Sequence, residues 1–283
     1  MITKTLPIIH TYLGKNPRGF HKITYYAWGN PANPVLLMVH GLSRNGRDFD
    51  ALAEALSDQY YVVCPDMVGR GLSDWLPQGF EYTYDQYMND LTALIARLNV
   101  TEVSWVGSSM GGLLGMIMAS LPNTPIKKLI INDIGPFITG EALEKIRSYV
   151  GLMPTFPTFE LGLNFVRQIY APFGQLTDAQ WQHMAEHSLV QNPDGTYRLH
   201  YDPRVAAFKT DQTDVNLWLC WFGVQCPILV LRGVDSTILS RDVYNQMASN
   251  PLATCHEITG AGHAPALMSV GEIVFVREWF NTF

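Results

Sequence analysis

The most constraining feature of the chain is the pentad Gly107-Ser108-Ser109-Met110-Gly111. It lies between an apolar run, Val103–Val106, and a helix-patterned stretch from Met110 to Ser120. A strand that turns this sharply into a helix needs small residues on both sides of the corner, because backbone segments pass too close for a side chain. The G-x-S-x-G spacing therefore predicts a strand–turn–helix corner with Ser109 at its tip and the hydroxyl presented outward. The helix beyond it would aim its positive end at whatever Ser109 attacks. Ser108, pointing elsewhere on such a corner, is assigned a structural role.

The remaining sequence builds a sheet around that corner. Short apolar runs at Val35–Val39, Tyr61–Cys64, Val103–Val106, Leu129–Asn132, Ile228–Arg232 and His256–Ile258 read as strands. They alternate with amphipathic stretches at Asp48–Ser57, Tyr84–Leu98, Met110–Ser120, Arg241–Ser249 and Val270–Phe280. Such alternation predicts an α/β fold with a mostly parallel sheet flanked by helices. Gly19–Trp28 reads as a further strand, antiparallel and near the sheet edge.

From Phe137 to Leu217 the alternation stops, and helical patterns are separated by Pro and Gly. A span of that length is too long for a structureless loop in a compact domain. It is read as an inserted, mainly helical cap over 137–217, with 1–136 and 218–283 forming the core. Within it, Asn192-Pro193-Asp194-Gly195 predicts a hairpin turn between Ser188–Gln191 and Thr196–Tyr201.

Composition narrows the function classes. The 283 residues carry a formal net charge of -6 and no basic stripe, which argues against a nucleic-acid partner. No apolar stretch approaches the roughly 20 residues that span a bilayer. The start, Met1–Pro7, lacks the pattern of a secretory signal, and a cytoplasmic location is expected. The four cysteines, Cys64, Cys220, Cys226 and Cys255, are scattered and read as small buried hydrophobes rather than zinc or redox ligands.

A serine hydroxyl needs a general base to become nucleophilic. Gly260-Ala261-Gly262-His263-Ala264-Pro265 follows the last strand, and its glycines let the loop fold back towards Ser109. His263 is therefore the candidate base. The other histidines are less well placed: His10 and His21 near the N-terminus, His40 at a strand end, His256 within a strand, and His183, His187 and His200 in the cap. His40-Gly41-Leu42 follows the strand Val35–Val39, so the N–H groups of Leu42 and Met110 are candidates to hold an oxyanion. His40 would brace that turn.

Taken together, His40-Gly41, the run Pro65-Asp66-Met67-Val68-Gly69-Arg70-Gly71-Leu72-Ser73-Asp74, Gly107–Gly111 and Gly262-His263 resemble the α/β-hydrolase superfamily over nearly the whole chain. The nearest likeness is to bacterial esterase-like members with a helical cap. The resemblance implies an eight-stranded sheet, a Ser–His–acid triad and hydrolysis through an acyl-enzyme. It implies a small-molecule substrate and needs neither metal nor organic cofactor. The family spacing places the acid three residues after Gly233, where this chain has Ser236. Asp235, one residue early, is the first candidate for the acid, and Asp133, just past the preceding strand, is the alternative.

Two motifs are read as bland. His183-Met184-Ala185-Glu186-His187 matches H-x-x-E-H, but with no companion ligand evident it is taken as a solvated cap face rather than a zinc site. Asp66, Arg70 and Asp74 are expected to tie their Gly-rich loop, whose spacing makes no nucleotide site. The large apolar residues Phe137, Tyr149, Met153, Phe156, Phe159, Phe165, Tyr170, Phe173, Trp181, Trp218, Trp221 and Phe222 each read first as packing the cap onto the core, but collectively they predict an apolar pocket and a hydrophobic ester as substrate. No basic residue can be placed in that pocket from sequence. Competing readings are a carbon–carbon bond hydrolase or lactonase on the same triad, and a non-catalytic small-ligand receptor.

Overall fold

The computed structural model describes residues 6–207 and 213–283. Met1–Thr5, most of the segment read for a signal, and residues 208–212 of the predicted cap lie outside the described residues. The expected α/β architecture is present. Eight strands form one sheet: β1 (Ile8–Asn16), β2 (Gly19–Trp28), β3 (Val35–Val39), β4 (Tyr61–Pro65), β5 (Val103–Ser108), β6 (Ile126–Asn132), β7 (Ile228–Gly233) and β8 (Ala253–Ile258). Their order is β1-β2-β4-β3-β5-β6-β7-β8, antiparallel at β1–β2 and β2–β4 and parallel thereafter.

The central strands are covered by apolar side chains on both faces, which is why β3 reads Val-Leu-Leu-Met-Val with every residue buried. Helices α1 (Asp50–Leu56), α2 (Tyr84–Leu98) and α3 (Met110–Ala119) connect the first strands. The α2 boundary is sharp because Thr83 accepts from the Gln86 N–H at its start and Asn99 takes a left-handed conformation at its end. Strand β2 is antiparallel and next to the sheet edge, as expected. Strand β1 lies outside it, and its exposed Ile8, Ile9 and Leu13 hide the strand's alternation from the sequence pattern.

Between β6 and β7 the chain leaves the sheet through α4 (Gly140–Arg147), α5 (Phe159–Ile169) and α6 (Asp178–Ser188). Its two ends pair with each other, Phe137 with Asn216 and Ile138 with Val215. The predicted hairpin is Leu189–Gln191 with Tyr197–Leu199, joined by an unforeseen third strand, Thr155–Phe156. The excursion docks on the Gly-rich loop, where the Gly71 N–H donates to the His200 carbonyl (3.0 Å) and the Asp202 N–H to the Gly69 carbonyl (2.8 Å). After it come α7 (Trp218–Gly223), α8 (Arg241–Met247) and α9 (Val270–Thr282). No helix among the described residues is long and apolar enough to cross a membrane.

Candidate active site

Ser109 stands at the corner between β5 and α3 with φ 50 and ψ -113, outside the regions open to most L-residues. Close packing holds it there. A Cβ at Gly111 would overlap the Val39 carbonyl oxygen, and one at Gly107 would overlap the Gly111 carbonyl. The Ser109 N–H donates to the Asn132 carbonyl (2.9 Å), which ties the corner to the end of β6. The Asn132 amide donates to Ser108 Oγ (3.1 Å) and to the Pro265 carbonyl (2.8 Å), so Ser108 helps join the corner to the histidine loop.

Ser109 Oγ lies 2.9 Å from His263 Nε2. The loop after β8 delivers His263, with Gly260 and Ala264 both at positive φ and the Gly262 N–H bonded to the Pro172 carbonyl (2.7 Å). The opposite ring nitrogen, Nδ1, lies 2.8 Å from Asp133 Oδ2. Asp133 is fully buried at φ 58. Its Oδ1 accepts from the Gly233 N–H (2.8 Å), and its Oδ2 also accepts from Ser236 Oγ (2.6 Å) and the Ala264 N–H (3.3 Å). A carboxylate receiving this many donors is held in one orientation.

Asp235, the first candidate for the acid, does not take that place. It is exposed beyond β7, its N–H spent on the Ala261 carbonyl (3.0 Å). The one-residue offset has a physical counterpart, because the residue three after Gly233 is Ser236, whose hydroxyl donates to Asp133. The ends of β6 and β7 are neighbours in the sheet, so a carboxylate at the tip of β6 reaches the same histidine.

His40 is fully buried, with Nδ1 2.6 Å from the Gly41 carbonyl and Nε2 accepting from the Met67 N–H (2.9 Å). Only the neutral ring protonated on Nδ1 satisfies both contacts. Burial, reinforced by the positive charge of Arg70, pushes its pKa down to about 3. It braces the turn, as expected. The turn itself lies against the nucleophile, since a Cβ at Gly41 would sit 3.6 Å from Ser109 Cβ. Asp66 ties the Gly-rich loop through the Gly46 and Leu72 N–H groups (both 2.8 Å) and the Tyr26 hydroxyl (2.9 Å), while burial raises its pKa to about 6. Asp74 accepts from the Lys22 N–H (2.7 Å). Arg70, fully buried, donates to the Leu42 carbonyl (2.8 Å) and the Val68 carbonyl (2.6 Å), and its third nitrogen lies 3.6 Å from Met110 Sδ.

Ser109 and His263 open into a cavity of about 210 Å³ that Leu42 and Met110 also line. Tyr149, Tyr170 and Phe173 wall it from the excursion, three of the cap's large apolar residues that sequence could not single out. Tyr82, Tyr84 and Tyr87 wall it from the core, and sequence reasoning missed them because tyrosines opening an amphipathic helix look like packing residues. Basic residues, which could not be placed in the pocket from sequence, also reach it. Arg44 and Lys145 both line it. Arg44 is neutralised by Asp48 (2.8 Å), held by Ser188 Oγ (2.8 Å) and stacked 4.2 Å from the Tyr170 ring centre, whereas Lys145 lies at the surface 3.3 Å from Glu141. Away from the cavity, His183 and His187 are half-buried and face Asp50, so they are not the solvated face expected of them.

Known proteins resemble this chain in sequence and in fold. The sequence model of the alpha/beta hydrolase family matches residues 36–274. A 3-hydroxybutyrate-oligomer hydrolase from Cupriavidus necator is 42% identical over 278 residues, covering 94% of this chain and 95% of that protein. Among solved structures, one from Rickettsia typhi superposes with a TM-score of 0.91 at 32% identity, covering 99% of this chain and 100% of that one. An alpha/beta hydrolase from Novosphingobium aromaticivorans gives 0.88 at 30% identity, with 99% of both chains covered.

Proposed function

This chain belongs to the alpha/beta hydrolase family, and on that premise we propose that it is a serine ester hydrolase with the triad Ser109, His263 and Asp133, acting on short esters of 3-hydroxy acids. The observation that carries the proposal is the unbroken relay from Ser109 Oγ through His263 to Asp133, at 2.9 and 2.8 Å. His263 Nε2 takes the Ser109 proton as Oγ attacks the ester carbonyl, and Asp133 holds the ring with Nδ1 protonated and stabilises the imidazolium. The N–H groups of Leu42 and Met110 receive the oxyanion. His263 then returns the proton to the departing alcohol. Water, activated by the same nitrogen, releases the acid from Ser109. Residues 137–217 act as the cap over this site, joined to the core at the paired strands Phe137–Ile138 and Val215–Asn216.

Two features support the substrate class. The Cupriavidus relative acts, by its name, on 3-hydroxybutyrate oligomers, and it matches this chain almost end to end. The cavity, at about 210 Å³, lies below the roughly 300–1,000 Å³ typical of drug-sized ligands. Its apolar walls suit methyl-bearing units, and Lys145 can meet the carboxylate that ends such an oligomer.

Steady-state rates on 3-hydroxybutyrate dimers and trimers, p-nitrophenyl esters of graded acyl length, lactones and vinylogous diketones test the reading. The oligomers should give the highest kcat/KM, and Ser109→Ala should abolish both turnover and phosphonate labelling. Faster cleavage of diketones than of any ester would overturn the ester assignment, and turnover by Ser109→Ala would overturn the nucleophile.

A further inference from the structure

A second cluster of chemistry-bearing side chains lies where the excursion meets the core, and the hydrolytic reaction does not use it. His183 and His187 stand one turn apart on α6, on the same helix face. Asp50, the first residue of α1, faces them from the core. One donor atom from each of the three residues falls within 4.8 Å of the others. The His183 Nε2 to Asp50 Oδ2 separation is 3.5 Å. Two ligands of a tetrahedral zinc ion, each about 2.0–2.2 Å from the metal, stand roughly 3.4 Å apart. The two imidazole rings meet edge to face with centres 4.7 Å apart. Asp50 is buried while both histidines are half-buried, so the cluster has a closed side that fixes the carboxylate and an open side towards solvent.

From this geometry we propose that Asp50, His183 and His187 form a binding site for a borderline divalent transition ion, with Zn²⁺ as the reference, completed by water on the open side. Two imidazoles and one carboxylate select zinc, copper or nickel over magnesium or calcium, which prefer all-oxygen shells. The H-x-x-E-H spacing supplies only the two histidines. The third ligand comes from the distant α1 and is brought in by the packing of α6.

The site has a built-in competitor. Arg47 donates through Nε to Asp50 Oδ1 (2.8 Å) and through Nη2 to Oδ2 (2.6 Å). An ion must displace or share these contacts, so Arg47 weakens the site. His183 Nε2 is 3.1 Å from the Arg47 carbonyl, and binding requires its proton to shift to Nδ1 and free Nε2 as a ligand. The ion would tie α6 to the segment Gly46–Leu56, in which the turn Gly46–Phe49 runs straight into α1 at Asp50. Those two elements also carry Ser188 and Asp48, both of which hold Arg44 in the cavity wall. Occupancy therefore stiffens the wall of the serine site without supplying it a ligand.

Calorimetric titration of the full chain with ZnCl₂, alongside thermal melts, tests the site without relying on activity. One ion per chain in the micromolar range is expected, with a raised Tm. His183→Gln and His187→Gln should each weaken binding by at least about tenfold, and the pair should remove the Tm rise. Arg47→Gln should tighten binding, which a purely structural junction does not predict. The metal-free melts of each variant separate loss of a ligand from loss of fold. Undiminished binding in the double histidine variant, weaker binding in Arg47→Gln, or no saturable binding up to about 100 µM would overturn the proposal.

Discussion

Asp133→Asn is the substitution that most directly probes the relay. The carboxylate is fully buried and accepts from the Gly233 N–H, Ser236 Oγ, His263 Nδ1 and the Ala264 N–H. An asparagine keeps one acceptor oxygen and turns the other into a donor. If the oxygen stays on the Gly233 N–H, the new amide confronts His263 Nδ1. The ring can meet it only by giving up that proton and protonating Nε2, which then faces Ser109 Oγ as a donor and cannot act as base. A wrong tautomer of this kind lowers kcat by about 10⁴-fold in the serine-protease triad, roughly 5.4 kcal/mol at 1.36 kcal/mol per decade. Flipping the amide restores an acceptor to Nδ1 but opposes two donors at Gly233, at about 1–3 kcal/mol. The expected fall in kcat is therefore about 10²–10⁴-fold with KM little changed, because Asp133 does not touch substrate. Asp235→Asn, at an exposed position, should stay within about twofold of the parent. Both are read from steady-state kinetics on one p-nitrophenyl ester, with melting curves to confirm folding. If Asp133→Asn keeps more than about a tenth of the parental kcat while Asp235→Asn collapses, the acid has been misassigned.

Other consequences can be measured in the same way. Gly111→Ala forces a methyl group onto the Val39 carbonyl and should cost about 3 kcal/mol or more in chemical denaturation; a melt unchanged from the parent would refute the close packing of the corner. His40 has a folded pKa of about 3 against 6.5 for the free side chain, so below pH 6.5 the unfolded chain takes up a proton that the folded chain refuses. Its contribution to stability is therefore lost as the pH falls. The stability gap between the parent and His40→Gln should narrow by about 1.4 kcal/mol per pH unit from pH 6 to pH 4, and parallel profiles would contradict this. Asp66, at about 6, acts in the opposite sense in that window but is present in both proteins and drops out of the difference. Arg70→Met releases the Leu42 carbonyl beside Met110 and should lower kcat about 10–100-fold; a change in KM alone would show that Arg70 does not act through the oxyanion turn.

The legible parts of this chain are those whose signal is local. The limits of β3 and α2 follow from an unbroken apolar run and from a cap residue followed by an amphipathic helix. Ser109 and His263 are readable because each carries its glycines beside it in sequence. Strand β1 is not readable, since its exposed apolar side chains break the alternation that marks a half-buried strand. The cavity's tyrosines and its two basic residues are hidden because no spacing rule tells a wall residue from a packing residue. Asp50 as a companion to His183 and His187 arises only when α6 packs onto the turn before α1.

The acid illustrates the same limit and has a consequence of its own. Whether a carboxylate reaches His263 from the end of β6 or the end of β7 depends on the register of two adjacent strands, in which Leu231 pairs with Asn132. Asp133 follows Asn132 directly, and with the acid there the position beyond β7 needs only a donor, which Ser236 supplies. Asp133 also stands three residues before Pro136, whose carbonyl accepts from the Leu217 N–H where the excursion returns to the core (2.6 Å). In the proposed triad, the residue that orients His263 thus lies at the root of the segment that walls the cavity. A displacement of that segment would reach the acid along a few backbone bonds, and His263 through the Gly262 N–H bond to the Pro172 carbonyl. Changes in the paired strands at Phe137–Ile138 and Val215–Asn216 should therefore alter kcat through the tilt of His263 as well as KM through the cavity wall.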